Sequence, residues 1–529
     1  MKNIVNVINF IRGIEPRPGR NIDLVKPVRE QIRIMKELHI RGTFLVQYDA
    51  LMNKEIVGLL KGLPKDFEIG LWLEVVQPQA EAAGIKWRGR FPWDWHNDVG
   101  FLIGYPVAER KRLIDVHIEK FQEIFGVLPK VIGAWHIDAV SMRYLSEHYS
   151  IEACCICRDQ IGTDGYTLQG GYYNQAYYPS EKNMFSPAQT KKNQIDMPVF
   201  RMLGSSAAFA YDFQLFDYDG VHATIPTLEP AQLAHNNEWG GFLLDEIFGG
   251  NGLVFQYAQI GQENSFGWDK MCDGIQFQFR KVAEMEKCGK VEVLTLGESG
   301  RWFRNCFSAT PATTYVADQK WEENDTKSYW YDSKNYRVNL FLENGVLRIR
   351  DFYVFNEKYR EKYLKKRCRN AACEYRNLPV FDGVLYSDKA KKVKAGCYFC
   401  KDEKPIEWNA VQYEETGGTA TLSLISEYGK LRVEFGENQI SADTDIEKFS
   451  IVPVYDRENV YGKSGNNDKT FSNHNGSASL SYIQKAEVKG NRLKFIINNF
   501  RYSIILPQGT PTSDFKINAV NGKIAAKIY

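Results

Sequence analysis

The sequence predicts an α/β protein: a TIM-like (β/α) barrel of seven or eight parallel strands, followed by an antiparallel β-sandwich. Three observations support this. Short apolar runs alternate with amphipathic or loop-rich stretches over the first 300 residues, which is typical of parallel strands buried on both faces. No GxGxxG or GxxxxGK[ST] motif follows them, which disfavours a nucleotide-binding open sheet. From about residue 310 the apolar residues alternate with period two, the pattern of antiparallel strands.

The apolar runs give the predicted parallel strands in chain order. They lie at 3–11, 43–48, 68–74, 130–137, 152–158, 198–203, 252–260 and 291–298. A helix is predicted after Asp23, because Leu24, Val28 and Ile32 recur at helical spacing behind a residue that caps helices well. The connections at 75–108 and 159–197 are far longer than usual, which is typical of functional loops. We therefore place a catalytic barrel domain at residues 1–305.

The second half is predicted as a β-rich domain, residues 306–529, with an insertion near 357–410. Asn344-Gly345 between two alternating runs indicates a hairpin. The basic stretch EKYREKYLKKRCR, residues 357–369, is interpreted as a solvated helix face. Four cysteines, spaced C-x4-C and C-x2-C, leave a structural zinc site open as an alternative; they are Cys368, Cys373, Cys397 and Cys400.

Composition argues against several classes of partner. The 67 basic and 65 acidic side chains give a net charge of +2, too small to attract nucleic acid or an anionic membrane broadly. No apolar run is long enough for a membrane helix, and the strand pattern begins too early for a signal peptide. The crowded cysteines of ACCICR suit reduced thiols. We expect a cytoplasmic protein without nucleic-acid or membrane partners, whose 29 Tyr and 11 Trp suit sugar faces.

Reactive side chains are expected where the strands end, because the loops of a parallel barrel converge over one mouth. His136 and Asp138 follow the fourth strand, and Glu15 follows the first. An imidazole can activate water near neutral pH if a carboxylate orients it, a role open to Asp138 or Glu15. A half-buried structural histidine fits the pattern equally well.

Arg201 ends the sixth predicted strand and would be desolvated unless an anion pairs with it. That anion is either a protein carboxylate or a substrate carboxylate. Candidates for further substrate contacts lie after the first strand and in the two long loops: Arg12, Arg17, Trp87, Arg88, Asp94, Asp164 and Tyr173.

Metal chemistry finds little support in the sequence. A metal-dependent deacetylase on such a barrel would need an Asp-Asp pair closing the first strand and a His-x3-His pair later. The first strand ends in Ile-Arg-Gly-Ile-Glu, and no two histidines stand four apart. We therefore expect neither a catalytic metal nor a cofactor.

Several segments together resemble the glycoside hydrolases of family 156, the inverting exo-sialidases: NFIRGIEPR, GLWLE, KWRGR, the His-bearing end of the fourth strand, DQIGTDGYTL, GGYYNQAYYPS and PVFRMLGS. The resemblance spans roughly residues 1–300. It implies a commonly dimeric barrel enzyme that removes terminal sialic acid, with His136 and Glu15 as the catalytic pair and Arg201 holding the sugar carboxylate. The family carboxylate is an aspartate, so Glu15 is a departure that puts its role in question.

The strand-end residues predict a glycoside hydrolase that removes a terminal acidic sugar, and the resemblance implies that it is a homodimer that acts on a sialoside with inversion. One alternative is a glycosidase for a different sugar that uses two carboxylates, Glu15 with Glu74 or Glu263. In that case Arg201 would be paired within the protein. Another alternative is a catalytically inactive barrel that binds carbohydrate through the aromatic mouth.

Overall fold

The computed structural model describes most of the chain. The described residues are 2–15, 17, 19–159, 170–202, 206–208, 229–231, 237–250, 252–321, 325–383, 385–388, 390–461, 468–473, 476–481 and 483–528.

The first part alternates strands and helices. Its strands are Lys2–Ile11 (β1), Thr43–Val46 (β2), Glu68–Trp72 (β3), Val131–Gly133 (β4), Ala153–Cys157 (β5), Ala176–Tyr177 (β6), Pro179–Ser180 (β7), Asn183–Pro187 (β8), Val199–Met202 (β9), Phe255–Ile260 (β10) and Glu292–Leu294 (β11). Its helices are Val25–Leu38 (α1), Lys54–Lys61 (α2), Gln77–Ala82 (α3), Val107–Phe125 (α4), Ala139–Tyr149 (α5), Asn237–Gly249 (α6), Trp268–Lys287 (α7) and Leu296–Cys306 (α8).

Nine of these strands form one curled sheet in the order β10-β1-β2-β3-β4-β5-β9-β6, with β11 also paired to β1, and β7 and β8 form a separate antiparallel pair. All the ladders of the nine-stranded sheet are parallel except that of β6 on β9. The α/β class and the parallel strands are therefore confirmed. Within the described residues no ladder joins β9 to β10, so the sheet is a curled half-barrel, and the closed TIM-like barrel of the prediction is not found.

Local signals explain where the helices beside this sheet begin. Thr295 and Glu298 form a reciprocal capping box at the start of α8, which satisfies two backbone donors that the helix itself cannot. Asp138 caps α5 by accepting from the backbone N–H of Ser141. Thr295 directly follows β11 and Asp138 comes a short loop after β4, so these polar residues help to turn the chain from sheet to helix.

The second part is almost entirely β-structure. Its strands are Thr313–Ala317 (β12), Thr326–Asp332 (β13), Tyr336–Glu343 (β14), Val346–Val354 (β15), Leu378–Asp382 (β16), Gly396–Lys401 (β17), Lys404–Pro405 (β18), Ala410–Thr416 (β19), Thr419–Ser426 (β20), Gly429–Gly436 (β21), Gln439–Thr444 (β22), Phe449–Val454 (β23), Asp468–Asn473 (β24), Gly476–Ser481 (β25), Lys485–Lys489 (β26), Arg492–Ile497 (β27), Phe500–Gln508 (β28), Thr510–Pro511 (β29), Ile517–Asn518 (β30) and Lys523–Lys527 (β31). A short helix, Arg457–Tyr461 (α9), follows β23.

Two large antiparallel sheets make up most of this part. One has the order β12-β13-β14-β15-β17-β23-β30-β29, and the other β19-β20-β21-β22-β31-β28-β27-β26. Leu340 and Phe399 of the first sheet and Leu422 and Phe495 of the second belong to one buried core, as expected of a sandwich. Asn344 and Gly345 both have positive φ between β14 and β15, so the predicted hairpin is confirmed.

The segment between β15 and β16 packs on the parallel-sheet part. Tyr363, Cys368 and Cys373 belong to the core of that part. Between residues 357 and 369 the only regular element is a single 3-10 turn, Lys362–Leu364. The prediction of a solvated helix face here was wrong, because the apolar residues that gave the helical pattern are buried against the neighbouring core.

The four cysteines of the zinc alternative lie in two different parts of the chain, two in each. Cys368 and Cys373 are in the core of the parallel-sheet part, whereas Cys397 and Cys400 are on β17, where Cys397 packs against the sandwich core. In the part of the chain that the structure describes, no three His, Cys, Asp or Glu side chains are grouped as a metal site. The zinc alternative is therefore not supported. None of the helices described above is long and apolar enough to cross a membrane.

Candidate active site at the carboxyl end of the parallel sheet

Arg12, directly after β1, lies between two carboxylates. Its Nη2 is 3.1 Å from Oε2 of Glu74, which follows β3, and 2.9 Å from Oε2 of Glu263, which follows β10. All three side chains are buried, and Glu263 is the most exposed, at 7%. Residues distant in sequence meet here because the carboxyl ends of parallel strands lie at one end of the sheet.

Neighbouring strand ends orient Glu74. Trp135 donates its indole N–H to Oε1 of Glu74 at 2.8 Å, and the Gln47 amide donates to Oε2 at 3.1 Å. These residues follow β4 and β2. Glu74 therefore accepts hydrogen bonds on both oxygens as well as facing Arg12, an arrangement that favours an ionised carboxylate.

The backbone after β10 places Glu263. Gly261 has a φ of +111°, and a Cβ there would lie 2.1 Å from the carbonyl oxygen of Ile8, so only glycine allows this close approach. Asn264 then brackets Arg12: its Oδ1 accepts from the Arg12 backbone N–H at 2.9 Å, and its amide donates to the Arg12 carbonyl at 2.8 Å. These contacts fix Glu263 relative to the end of β1.

An aromatic wall flanks the cluster. The Trp93 ring lies 3.9 Å from the Arg12 guanidinium and 5.4 Å from that of Arg17, both within cation–π distance. Arg17 donates from Nε to Oε1 of Glu15 at 2.6 Å. Burial acts to raise the pKa of Glu15, but hydrogen bonds from Arg17 and the charges of Arg17 and Arg12 keep that pKa below its usual value. Arg17 remains 26% exposed, so this ion pair forms the rim of the site.

His136 is buried beside this cluster. Its Nε2 is 2.7 Å from Oδ1 of Asn97, and its ring stacks on Phe101 at 4.5 Å and meets Tyr375 edge-on at 5.5 Å. Burial lowers the pKa of His136 to about 3, so the imidazole is neutral at neutral pH. A base with so low a pKa is poorly matched to activating water near neutral pH. The catalytic role of His136 stays a prediction.

The way in which the free energy of unfolding depends on pH should show that the His136 imidazole is buried and neutral. In the unfolded chain the His136 pKa is about 6.5, so between pH 6.5 and 3 the unfolded state binds more protons and the free energy of unfolding falls as pH falls. His136→Gln, which can still donate to Asn97, should make this slope shallower by up to about 1.4 kcal/mol per pH unit. Urea unfolding of both proteins from pH 4 to 6.5 measures the difference. Identical slopes would show that His136 titrates normally in the folded protein.

Asp138 has several partners within the protein. Besides capping α5, it accepts from the Ser141 hydroxyl at 2.7 Å and pairs with Arg110 at 2.9 Å. Glu361, from the second part of the chain, accepts from the Ala139 backbone N–H at 3.0 Å. Burial, followed by the charge of Asp138, raises the pKa of Glu361 to about 8. These contacts give Asp138 a structural role, while its predicted catalytic role is untested.

Arg201 is paired within the protein. Its Nε donates to the Cys157 carbonyl at 2.9 Å, Nη1 donates to the Tyr172 carbonyl, and Nη2 lies 3.5 Å from Oδ1 of Asp159. The side chain is fully buried. The alternative of a glycosidase that uses two carboxylates requires Arg201 to be paired within the protein, as it is here. Arg201 and His136 are linked through two rings: Arg201 lies over Phe185, Phe185 meets Tyr375 edge-on, and Tyr375 meets His136.

Three predicted binding residues stabilise the long loop after β3. Trp87 donates its indole N–H to the Phe91 carbonyl at 2.9 Å, and Arg88 donates to the Gly104 carbonyl at 2.9 Å. Asp94 accepts from the Arg90 side chain at 2.7 and 3.0 Å. Burial acts to raise the pKa of Asp94, but the Arg90 hydrogen bonds hold it below its usual value. This loop also carries Trp93, so these contacts support the aromatic wall.

Tyr173 lies away from the Arg12 cluster, against the second part of the chain. Its ring stacks on Trp330 at 3.6 Å, and its backbone N–H donates to Asp332 at 2.8 Å. Burial raises the pKa of the Tyr173 hydroxyl to about 12. Asp164, also predicted as a binding residue, lies outside the described residues.

From the sequence, Glu74 and Glu263 are predicted only as partners in an alternative, and Trp93 only as one of the aromatic residues of a long loop expected to wall the pocket. Each follows or faces a buried strand end, which is a signal that the sequence does carry. Their common partner Arg12 was read instead as a substrate contact, because a sequence does not reveal which strand ends face one another.

No protein-family model matches the chain, and no curated protein matches it. Among solved structures, a candidate glycoside hydrolase/deacetylase from Parabacteroides distasonis shares 17% identity with a TM-score of 0.48, covering 72% of this chain and 89% of its own. A candidate polysaccharide deacetylase from Mycobacterium smegmatis shares 15% identity with a TM-score of 0.34, covering 58% and 91%.

A family 4 acetyl xylan esterase from Clostridium thermocellum shares 10% identity with a TM-score of 0.26, covering 57% of this chain and 91% of its own. These structures are of the glycoside hydrolase/deacetylase type, and none of the three is described as a sialidase. The resemblance to glycoside hydrolase family 156 stays a prediction.

Proposed function

We propose that the chain is a glycoside hydrolase whose catalytic carboxylates are Glu74 and Glu263. One observation carries the proposal: both Oε2 atoms contact the same nitrogen of Arg12 at the carboxyl end of the sheet. The two Oε2 atoms are therefore no more than about 6 Å apart. This is closer to the roughly 5 to 5.5 Å between the carboxyl groups of retaining glycosidases than to the roughly 6.5 to 9.5 Å of inverting ones. The spacing favours retention over the predicted inversion.

In this mechanism Glu74 is the nucleophile and Glu263 the acid/base. Glu74 accepts hydrogen bonds on both oxygens and contacts Arg12, contacts that stabilise a carboxylate anion, and Glu263 is assigned the proton-transfer role. A Glu74 oxygen attacks the anomeric carbon as the glycosidic C–O bond breaks, and the leaving oxygen takes a proton from Glu263. Water then attacks the same carbon, gives a proton to Glu263 and releases Glu74.

The proposed substrate is a terminal sugar that carries a carboxylate, as the family resemblance implies. The partly exposed Arg17 supports this assignment, because a rim guanidinium can exchange Glu15 for a substrate carboxylate. A cytoplasmic location and a homodimer remain predictions from sequence.

A panel of aryl glycosides tests this function. Turnover of an aryl sialoside or aryl glucuronide, with retention at the anomeric carbon in proton NMR spectra, is the expected result. Inversion that depends on His136 would favour the His136–Glu15 pair instead. Turnover of neutral glycosides alone would contradict the assignment of an acidic sugar as the substrate. Binding without any turnover would indicate the inactive carbohydrate-binding barrel.

A further inference from the structure

The basic segment Lys362–Asn370 forms an unusual concave surface. Five of its nine residues are cations, and none is acidic: Lys362, Lys365, Lys366, Arg367 and Arg369. With Pro106 and Asn370 they line a concavity of about 590 Å³. The whole chain has a net charge of only +2, so this is a local concentration of charge.

The cations stand on a fixed backbone. Tyr363 and Cys368 are buried in the neighbouring core. Arg110 donates to the Tyr363 carbonyl at 2.8 Å and to the Lys366 carbonyl at 3.1 Å. The Cys368 backbone N–H donates to the Ile103 carbonyl at 2.7 Å. A ligand would therefore meet pre-positioned charges without having to order the segment.

Most of these charges have no internal counter-charge. Lys362 pairs with Glu374 at 2.5 Å. The other four form no ion pair within the described chain, and Lys365, Lys366 and Arg369 are exposed. Unpaired cations gathered in a concavity attract a complementary anion, because their fields add there.

The surface also adjoins the candidate site. The Ala371 carbonyl, just beyond the segment, accepts from the backbone N–H of Asn97 at 2.7 Å and from its side-chain amide at 3.1 Å. Asn97 contacts His136 and belongs to the loop that carries Trp93. The concavity therefore flanks the loop that walls the Arg12 cluster.

We propose that this surface, the 362–370 concavity, binds an acidic polysaccharide and holds polymeric substrate beside the active site. The inference rests on the proposed function. The lining contains no aromatic ring, whereas single-stranded nucleic acid binding depends on aromatic stacking. The concavity also has the size of a small-ligand pocket, which suits a few sugar residues better than a duplex.

Titration calorimetry with polygalacturonate at low salt tests the proposal. The variant K365S/K366S/R367S/R369S should bind about tenfold more weakly than the wild type, since four cationic contacts are lost. The control K404S/K430S/K489S/R492S removes four exposed cations elsewhere and should bind as the wild type does. Both variants should turn over a small aryl glycoside normally, so a failure of binding can be told apart from a failure of the hydrolase assignment.

Equal affinities of the two variants would overturn the proposal, as would an absence of wild-type binding to polygalacturonate. Tighter binding of single-stranded DNA than of polygalacturonate would also overturn it and assign the surface to nucleic acid. Loss of binding in 0.5 M salt, together with the difference between the variants, supports it, because exposed charge contacts are screened by salt.

Discussion

Glu263→Gln is expected to reduce kcat on the best aryl glycoside by at least about a hundredfold, the lower range for loss of a general acid or base. Glutamine has the same shape but cannot transfer a proton to the leaving oxygen. Arg12 keeps its contact with Glu74 in this variant, so the protein should still fold. Steady-state kinetics together with thermal unfolding measure both effects.

Glu74→Gln should be at least as damaging, because it removes the proposed nucleophile. Glu37→Gln provides a matched control: Glu37 lies on α1, is 59% exposed and pairs only with Arg33 among the described residues. Its turnover should equal that of the wild type. If the Glu74 and Glu263 variants both retained wild-type kcat, neither carboxylate would take part in the reaction, and His136 with Glu15 would become the leading pair.

The sequence predicts the strands of the parallel sheet well because that signal is local. The residues between Phe255 and Ile260, for example, are buried without interruption, and a continuous apolar run in the sequence is enough to indicate this. The capping role of Asp138 was also readable, since a helical pattern begins directly after it. Because Asp138 is two residues from His136, it was interpreted as a catalytic residue instead.

Pairing between distant strand ends could not be read in the same way. The contacts of Arg201 with Cys157, Tyr172 and Asp159 depend on β5 and β9 being neighbours and on how the loop after β5 returns. From the sequence, a protein partner and a substrate partner for Arg201 were equally consistent. The basic segment was misread for a related reason: Tyr363 and Cys368 pack on a core formed by residues far away in the chain.

Arg337→Met is expected to lower the free energy of unfolding by about 3 to 5 kcal/mol, the usual cost of removing one partner of a buried ion pair. Arg337, on β14, is fully buried; its Nη1 is 2.9 Å from Oδ2 of Asp159, and its Nη2 is 2.7 Å from Oδ2 of Asp351. It therefore joins the end of β5 to the first antiparallel sheet, and methionine would leave both buried carboxylates without this guanidinium.

Urea unfolding of the variant, followed by fluorescence, measures this loss. Arg432→Met is the control, since Arg432 is 60% exposed and pairs only with Glu434 among the described residues; it should cost no more than about 1 kcal/mol. Because Arg337 links the two parts of the chain, its loss should weaken their docking as well as the fold. Equal midpoints for the two variants would mean that packing of rings such as Tyr173 on Trp330, rather than this charge network, holds the sandwich to the parallel sheet.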